Sequence, residues 1–375
     1  MKILHTSDWN IGKKFYHRDR FSEQKAALTE ISNIANDVKA DLVLVSGNVF
    51  GGRHPSPRSL ELFGDAVTKL AAGGKRAVVV IAGEKDDQES LKAVGRLAEK
   101  LGVTVVTEIH DVAVKSNPSF FVRVTAAQKG FVEVTNEKGE IAHISVVPYI
   151  GAKEYAALKG ADTGAKLKNL FEEVPANENA LKIALVRLNA EDISETGGAG
   201  KISREVFKGY AYTALGGTSA SIDNENGLFA SGAIADYDFD ETEKGVLVAD
   251  VTQSGLISVS EIPLKSAKKL KNVIVSDFSE AKAALEENKD CYVRLIISSD
   301  KPAERAAAEE LKNAYPLITD ILFNSYRASA DVSAVSPYDE GVFSAFLSRA
   351  GVSGADCYVK LFGAIMEEQH ETVKA

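Results

Sequence analysis

The chain has 375 residues, of which 45% are hydrophobic and 26% charged; this balance excludes a disordered, collagenous or disulfide-framework protein and leaves room for two or three domains with a sizeable core. Its formal charge of −9 argues against nucleic-acid binding over the whole surface, though not against a local basic face. No apolar run approaches the roughly 20 residues that span a bilayer, and the N-terminal MKILHTSDWN alternates like a strand, so a cytoplasmic protein with no membrane attachment is expected.

Through the first 110 residues short apolar runs alternate with helix-period segments, the pattern of βα units around a buried sheet. Ile3 to Thr6, Leu42 to Val45 and Ala77 to Ala82 read as strands. Between them Leu28, Ile31, Ala35 and Val38 recur at helical spacing, and Ser56-Pro57 supplies an N-cap and a first-turn proline ahead of Leu60, Phe63, Val67 and Leu70. From Ser119 to Ile150 the pattern turns to strands, with Phe131 to Thr135 and Ile141 to Val147 flanking the turn Asn136 to Glu140 as a hairpin. Lys182 to Leu188 is followed by a polar loop around Glu195 to Gly200, and Tyr212 to Leu215 reads as a buried strand ending at Gly216-Gly217. Gly245 to Val251 and Leu256 to Ile262 form a last strand pair, and the Lys-rich Lys265 to Lys271 is the expected linker.

Beyond the linker, Asn272 to Val275, a helix at Glu280 to Glu287, a strand at Cys291 to Ile297, a helix at Ala303 to Ala314 and a final run at Ile321 to Phe323 suggest a small α+β module. The expected division is residues 1–265, 272–330 and 338–375. The last segment carries two apolar stripes, Val342, Phe343, Phe346 and Leu347, then Tyr358, Leu361, Phe362 and Ile365, which serve either as domain core or as a partner surface.

The strand ends carry the chemistry. Asp8-Trp9-Asn10 follows the first strand, Ser46-Gly47-Asn48-Val49-Phe50 the second and Gly83-Glu84-Lys85-Asp86 the third, and tails of this kind converge on one crevice in an open α/β sheet. The loop Lys13, Lys14, Phe15, Tyr16, His17, Arg18, Arg20 interleaves cations with aromatics; such a loop either holds a phosphate and stacks a base or is a solvated, partly packed connection. Of the histidines, His5 and His143 lie inside strands as core groups, while His17, His54, His110 and His370 fall in loop or surface positions. Cys291 and Cys357 lack metal or disulfide spacing and read as unrelated thiols.

The sequence resembles the SbcD family of DNA-repair nucleases, the bacterial branch of the calcineurin-like metallophosphoesterases, through MKILHTSDWN, Phe21 to Gln24, DLVLVSGNVF, Pro55-Ser56-Pro57, VVVIAGEKD, SVVPY, YTALGG and GVLVADV. The resemblance covers nearly the whole chain and implies an α/β fold: a metallophosphoesterase β sandwich flanked by helices, a small α+β capping domain and C-terminal helices. In that family the strand ends read Asp-x-His, Gly-Asp and Gly-Asn-His-Asp, followed by a lone His and a Gly-His-x-His. Those groups hold two divalent ions, usually manganese, that bind the scissile phosphate and activate a water.

Carried over position by position, Asp8 keeps the family residue, but Asn10 stands for the first His and Asn48 for the bridging Asp. Glu84 replaces the amide ligand, Lys85 the catalytic His and Arg187 the lone His, and Gly217 and Ser219 occupy the last His positions within Gly216-Gly217-Thr218-Ser219. The resemblance therefore implies no functional two-metal centre, and no cofactor is expected. The enzymatic alternative is a metal-dependent exonuclease or endonuclease with a rebuilt single-metal site at Asp8 and Glu84, helped by Asn10 and Asn48. Lys85 and Arg187 are expected to pair with Asp8, Glu84 or Asp86 and so remove the charge conflict of a vacated site, the alternative being drift.

The partners implied are DNA, contacted by Lys13, Lys14, Tyr16, Arg18 and Arg20, and an SbcC-type coiled-coil ATPase gripped by the C-terminal stripes. A homodimer through helices at Pro57 to Ala72 and Glu89 to Leu101 is implied as well. The expected protein is an SbcD-like subunit of a DNA double-strand-break repair complex that has lost its nuclease centre and acts as a scaffold or DNA-binding partner. A repurposed fold with neither DNA nor ATPase partner is the remaining alternative.

Overall fold

The structure is a computed structural model that describes residues 1–175, 177–196, 201–217, 219–239, 244–297, 305–323 and 358–359. Strand β1 (Lys2–Thr6) shows how the chain is layered. Ile3 points into an apolar core between two sheets, and its neighbour Leu4 points into a second core beneath helices. The same division recurs in β2 (Leu42–Val45), where Leu42 and Leu44 face the inter-sheet core and Val43 and Val45 face the helices. A strand buried on both faces needs no polar alternation, which is why these runs are continuously apolar.

Helices α1 (Phe21–Asp37), α2 (Pro57–Ala71) and α3 (Gln88–Ala98) connect β1, β2, β3 (Ala77–Ile81) and β4 (Val103–Val106) as parallel neighbours. The start of α2 is fixed as expected, with Pro57 in its first turn and the Ser56 side chain accepting a bond from the Ser59 N–H. Next come the meander β5 (Arg123–Gln128), β6 (Phe131–Thr135) and β7 (Ile141–Val147), then α4 (Ala152–Ala157) and α5 (Thr163–Glu172). The body continues with β8 (Leu181–Asn189), the short pair β9 (Ile193–Ser194) and β10 (Ile202–Ser203), and β11 (Tyr212–Gly216). It is completed by β12 (Ala220–Asp223), β13 (Leu228–Ser231), β14 (Gly245–Thr252) and β15 (Gly255–Pro263).

These strands form a six-stranded sheet in the order β15-β14-β1-β2-β3-β4 and a seven-stranded sheet in the order β12-β13-β11-β8-β7-β6-β5. Their facing surfaces share one core that includes Ile3, Leu44, Val79, Ile144, Ile183, Leu185, Phe229 and Leu247. The α/β sandwich flanked by helices is thus present. α1 to α3 cover the first sheet, and α5 packs on the outer side of the second through Leu167, Leu170 and Phe171.

The following unit consists of β16 (Leu270–Val275), α6 (Phe278–Glu287), β17 (Tyr292–Ile297), α7 (Arg305–Ala314) and β18 (Ile318–Phe323). Its three strands are all parallel in the order β16-β17-β18. It is therefore built of two βαβ crossovers, which corrects the expected α+β character. The linker is shorter than the run Lys265 to Lys271, because β16 already begins at Leu270. The expected segment 338–375 lies outside the described residues except for 358–359.

Candidate functional site

The tails of β1, β2 and β3 meet at the edge of the sandwich. The Asp8 N–H donates to the Gly47 carbonyl at 3.0 Å and the Asn10 N–H to the Asn48 carbonyl at 3.0 Å, tying the first tail to the second. Asp8, Asn10 and Asn48 all adopt left-handed backbone, with φ of 46°, 48° and 51°. This conformation is costly for residues with a side chain and clusters at functional sites. The Asp86 carboxylate secures the second and third tails by accepting N–H bonds from Gly83 at 2.7 Å, Phe50 at 2.7 Å and Val49 at 3.2 Å. Burial nevertheless pushes the Asp86 carboxyl up to about 6.

Across from these tails stands Arg187. In β8 the residues Leu181, Ile183 and Leu185 face the inter-sheet core, so the two-residue period carries Arg187 to the same face at the strand's end. Its guanidinium donates from Nη1 to Asp8 Oδ2 at 2.8 Å and from Nε to Glu84 Oε2 at 2.9 Å. Nη2 adds bonds to Glu84 Oε1 at 3.1 Å and Asp8 Oδ1 at 3.4 Å. The side chains of Arg187 and Asp8 are only 4% and 0% exposed, so this is a buried ion pair, whereas Glu84 at 40% sits on its rim.

Two glycines frame the guanidinium. A Cβ on Gly216 would collide with Arg187 Nη1, and one on Gly47 would lie 2.8 Å from Arg187 Cδ. The backbone after Gly216 also contributes, since the Gly217 N–H donates to Asp8 Oδ2 at 3.0 Å. Asn48 closes the network: its amide nitrogen donates to Asp8 Oδ1 and to Glu84 Oε1, both at 2.8 Å, while its carbonyl oxygen accepts the Lys85 N–H at 3.2 Å. Burial works against ionisation of Glu84, but Arg187, through hydrogen bonds and charge, and the Asn48 amide hold its carboxyl down at about 2. Burial likewise opposes the charge on Arg187, and the Asp8 and Glu84 carboxylates outweigh it and raise its pKa.

This donor set does not fit two divalent ions. Each oxygen of Asp8 and Glu84 already accepts at least one hydrogen bond, and an amide with two outward hydrogens stands where a bridging carboxylate is needed. Among the described residues no group of three or more His, Cys, Asp or Glu is arranged to hold a metal. Asn10 is buried and donates to the Asp8 carbonyl at 2.9 Å, and its own carbonyl oxygen has no partner among the described residues.

The expected pairing of cations with carboxylates holds for Arg187 and not for Lys85. Lys85 is half-buried and lines the same cleft of about 520 Å³, together with Asn189, Glu191, Ser219 and Ser221, but it forms no ion pair among the described residues. Ser219 is exposed at the cleft mouth, and Thr218 lies outside the described residues. A feature missed in the sequence adjoins the site: an apolar chamber of about 420 Å³ walled by Tyr149, Ile150, Tyr155, Leu167, Leu170 and Leu188, with Glu84, Arg187 and Asn189 shared between it and the cleft. α4 and α5 build much of it, and their short, weakly patterned segments give little signal.

The loop before α1 is largely an internal clamp. Arg20 is 1% exposed, donates to Glu23 Oε2 at 2.8 Å and to the Asp236 carbonyl, and lies over the rings of Phe15, Tyr237 and Tyr292. It is therefore removed from the expected DNA-contacting set, because a buried guanidinium with these partners has no face left for a phosphate. Arg18 donates to the Ile318 carbonyl at 2.6 Å, and the Tyr16 hydroxyl accepts from Arg294 at 3.2 Å, so both residues join the body to the βαβ unit. Lys13 reaches over the Tyr237 ring at 4.1 Å, and Lys14 is exposed.

The C-terminal stripe residues Val342, Phe343, Phe346, Leu347, Leu361, Phe362 and Ile365 lie outside the described residues; Tyr358 is 51% exposed. Cys291 is a free, half-buried thiol, and Cys357 lies outside the described residues. Among the described residues no helix is long and apolar enough to cross a membrane.

No protein-family model matches the chain. It is similar to the D subunit of the SbcCD nuclease of Bacillus subtilis (strain 168), 27% identical over 348 residues that make up 84% of this chain and 84% of the relative. The corresponding D subunit of Staphylococcus epidermidis (strain ATCC 12228 / FDA PCI 1200) is 22% identical over 289 residues, 75% of this chain and 74% of that one. That of Escherichia coli (strain K12) is 34% identical over a shorter stretch of 106 residues, 28% of this chain and 26% of the relative. The similarity to the first two of these D subunits is sustained over most of both chains, on a sandwich whose strand tails gather at one cleft.

Proposed function

We propose that the chain is an SbcD-like subunit of a DNA-repair complex in which the two-metal nuclease centre has been given up, and that it works as a scaffold or DNA-binding partner of an SbcC-type coiled-coil ATPase. The observation that supports the loss of the centre is the state of Asp8. The one metal-ligand residue retained from the family pattern is occupied by Arg187, Asn48 and the Gly217 N–H. A hydrolytic water needs a metal with a free coordination position or a general base, and the histidine position that would assist it carries Lys85. The relatives are named as subunits of SbcCD, which supports the ATPase as partner. DNA contact would fall to the exposed members of the first loop, Lys14 and Tyr16; a second copy of the chain is a further partner that the family resemblance implies.

The test is a metal and activity measurement on the full-length protein, followed by capture of the ATPase. After incubation with excess manganese and desalting, the protein is expected to retain far less than one ion per chain and to leave linear duplex DNA intact. It is expected to co-purify with a co-expressed SbcC-type ATPase. About two bound ions with manganese-dependent cleavage abolished by Asp8→Ala would reinstate the nuclease, and absence of the ATPase complex would remove the scaffold role.

A further inference from the structure

We propose that Arg187 is the resident cation of the cleft: its guanidinium joins the two sheets through the carboxylates of Asp8 and Glu84, and its removal uncovers a latent site for a hard divalent cation. The proposal rests on the metal-independent reading above and deepens it.

The first support is position. Asp8 and Glu84 belong to the tails of the six-stranded sheet, and Arg187 belongs to the seven-stranded one, so each of its carboxylate bonds spans the sandwich. The second is fit. Gly216 and Gly47 leave the guanidinium a slot that a Cβ at either position would close. Arg187 Nη1 also reaches the Ser46 carbonyl at 3.2 Å, a contact to the second tail that adds to the carboxylate pairs. A point charge such as an ammonium could not satisfy two carboxylates and a carbonyl in one plane, whereas the fork of a guanidinium can.

The third support is what remains when the guanidinium is taken away. Both oxygens of Asp8 and both of Glu84 lose their charged partner, and these two carboxylates line the same cleft. These are oxygen donors without imidazole or thiolate, a set that suits Mg²⁺, Ca²⁺ or Mn²⁺ and does not favour softer ions. The uncompensated carboxylates supply the drive for such an ion to bind, and binding to the folded chain alone raises its stability.

The experiment compares thermal unfolding of the full-length wild type, R187A and D8N/R187A, each with EDTA or with millimolar MnCl₂. The wild type is expected to melt at the same temperature in both conditions. R187A is expected to melt roughly 5 to 10 °C lower in EDTA, as for a buried charge left without its partner, and to recover at least half of that loss with MnCl₂. D8N/R187A is expected to gain nothing from the metal. Should R187A not fold, R187Q, which keeps some bulk in the slot, carries the same titration. The proposal is overturned if the Arg187 variant melts with the wild type, or if it melts lower and manganese restores nothing. A wild type that is itself stabilised by manganese and cuts DNA would overturn the proposed function, whereas an inert wild type with an unresponsive variant would overturn this inference alone.

Discussion

His5 is a buried imidazole without charge. Its Nδ1 lies 3.0 Å from the Tyr212 hydroxyl and its Nε2 2.7 Å from Ser46 Oγ, and Ser46 in turn donates to the Leu215 carbonyl at 2.9 Å. Burial lowers its pKa from 6.5 to about 3, against a smaller opposing effect of the Leu215 backbone. The unfolded chain therefore takes up a proton here that the folded chain refuses, so this stabilisation is full above pH 6.5 and is lost as the pH falls from there toward 3. Asp86 runs the other way: raised from 3.8 to about 6, it favours the fold at low pH and loses that advantage as the pH rises through 6. The two oppose one another between about pH 4 and 6, and substituting His5 isolates its share. Urea midpoints of wild type and His5→Phe at pH 7 and pH 4.5 are expected to show a smaller drop on acidification in the variant, whatever its stability at pH 7; parallel drops would refute the assignment. At this scale Asp8 and Arg187 were legible, because an arginine replacing a ligand beside the carboxylates of Asp8 and Glu84 has few other ways to be buried. Lys85 was not, since nothing in the local sequence tells which of two cations near the same carboxylates will pair with them, and among the described residues Arg187 does.

At the scale of an element, the loop between β1 and α1 shows why composition misleads. Alternating cations and aromatics satisfy the requirements of a phosphate-binding loop and of a domain clamp equally well. The distinction lies in residues far along the chain, for Tyr237 and Tyr292 supply the rings over which Arg20 rests, and Asp236 supplies the carbonyl it donates to. Once those surfaces close around Arg20, its loss removes a buried ion pair with Glu23 together with cation–ring contacts. Arg20→Ala is expected to cost about 3 kcal/mol in equilibrium denaturation, whereas Lys14→Ala, on the exposed side of the same loop, is expected to stay within about 0.5 kcal/mol. Equal effects of the two substitutions would return the loop to a solvated role. The helices and the continuously apolar strands of the body were readable from period and capping, as α2 illustrates. β13 was not: Leu228–Ser231 is a short run between Gly227 and Gly232 whose burial comes from pairing with β11.

For the whole molecule, the question is whether the βαβ unit stands as a separate body. Phe15 from the first loop, Phe239 from the sandwich and Tyr292 from β17 form one small core across the junction, joined by Tyr237, Leu270 and Leu317. The Tyr292 hydroxyl donates to Glu23 Oε1 at 2.6 Å, and burial together with that carboxylate raises its pKa. The linker is also tied down, because the Glu30 carboxylate of α1 accepts the Lys265 and Ser266 N–H groups at 2.9 Å and the Ser266 hydroxyl at 2.6 Å. With docking at both the sheet and the linker, opening the junction exposes apolar rings and a buried guanidinium at once, which couples the two units in unfolding. Trp9, the single tryptophan, is wholly buried in the sandwich and reports on that body alone. Hydrogen exchange of the β17 amides reports on the other unit. In the wild type both signals are expected to change over the same urea range, and in R20A/Y292F the β17 amides are expected to exchange at lower urea while Trp9 stays buried. If β17 already opens well below the Trp9 transition in the wild type, the clamp does not couple the units, and the aromatic junction is a contact without mechanical consequence.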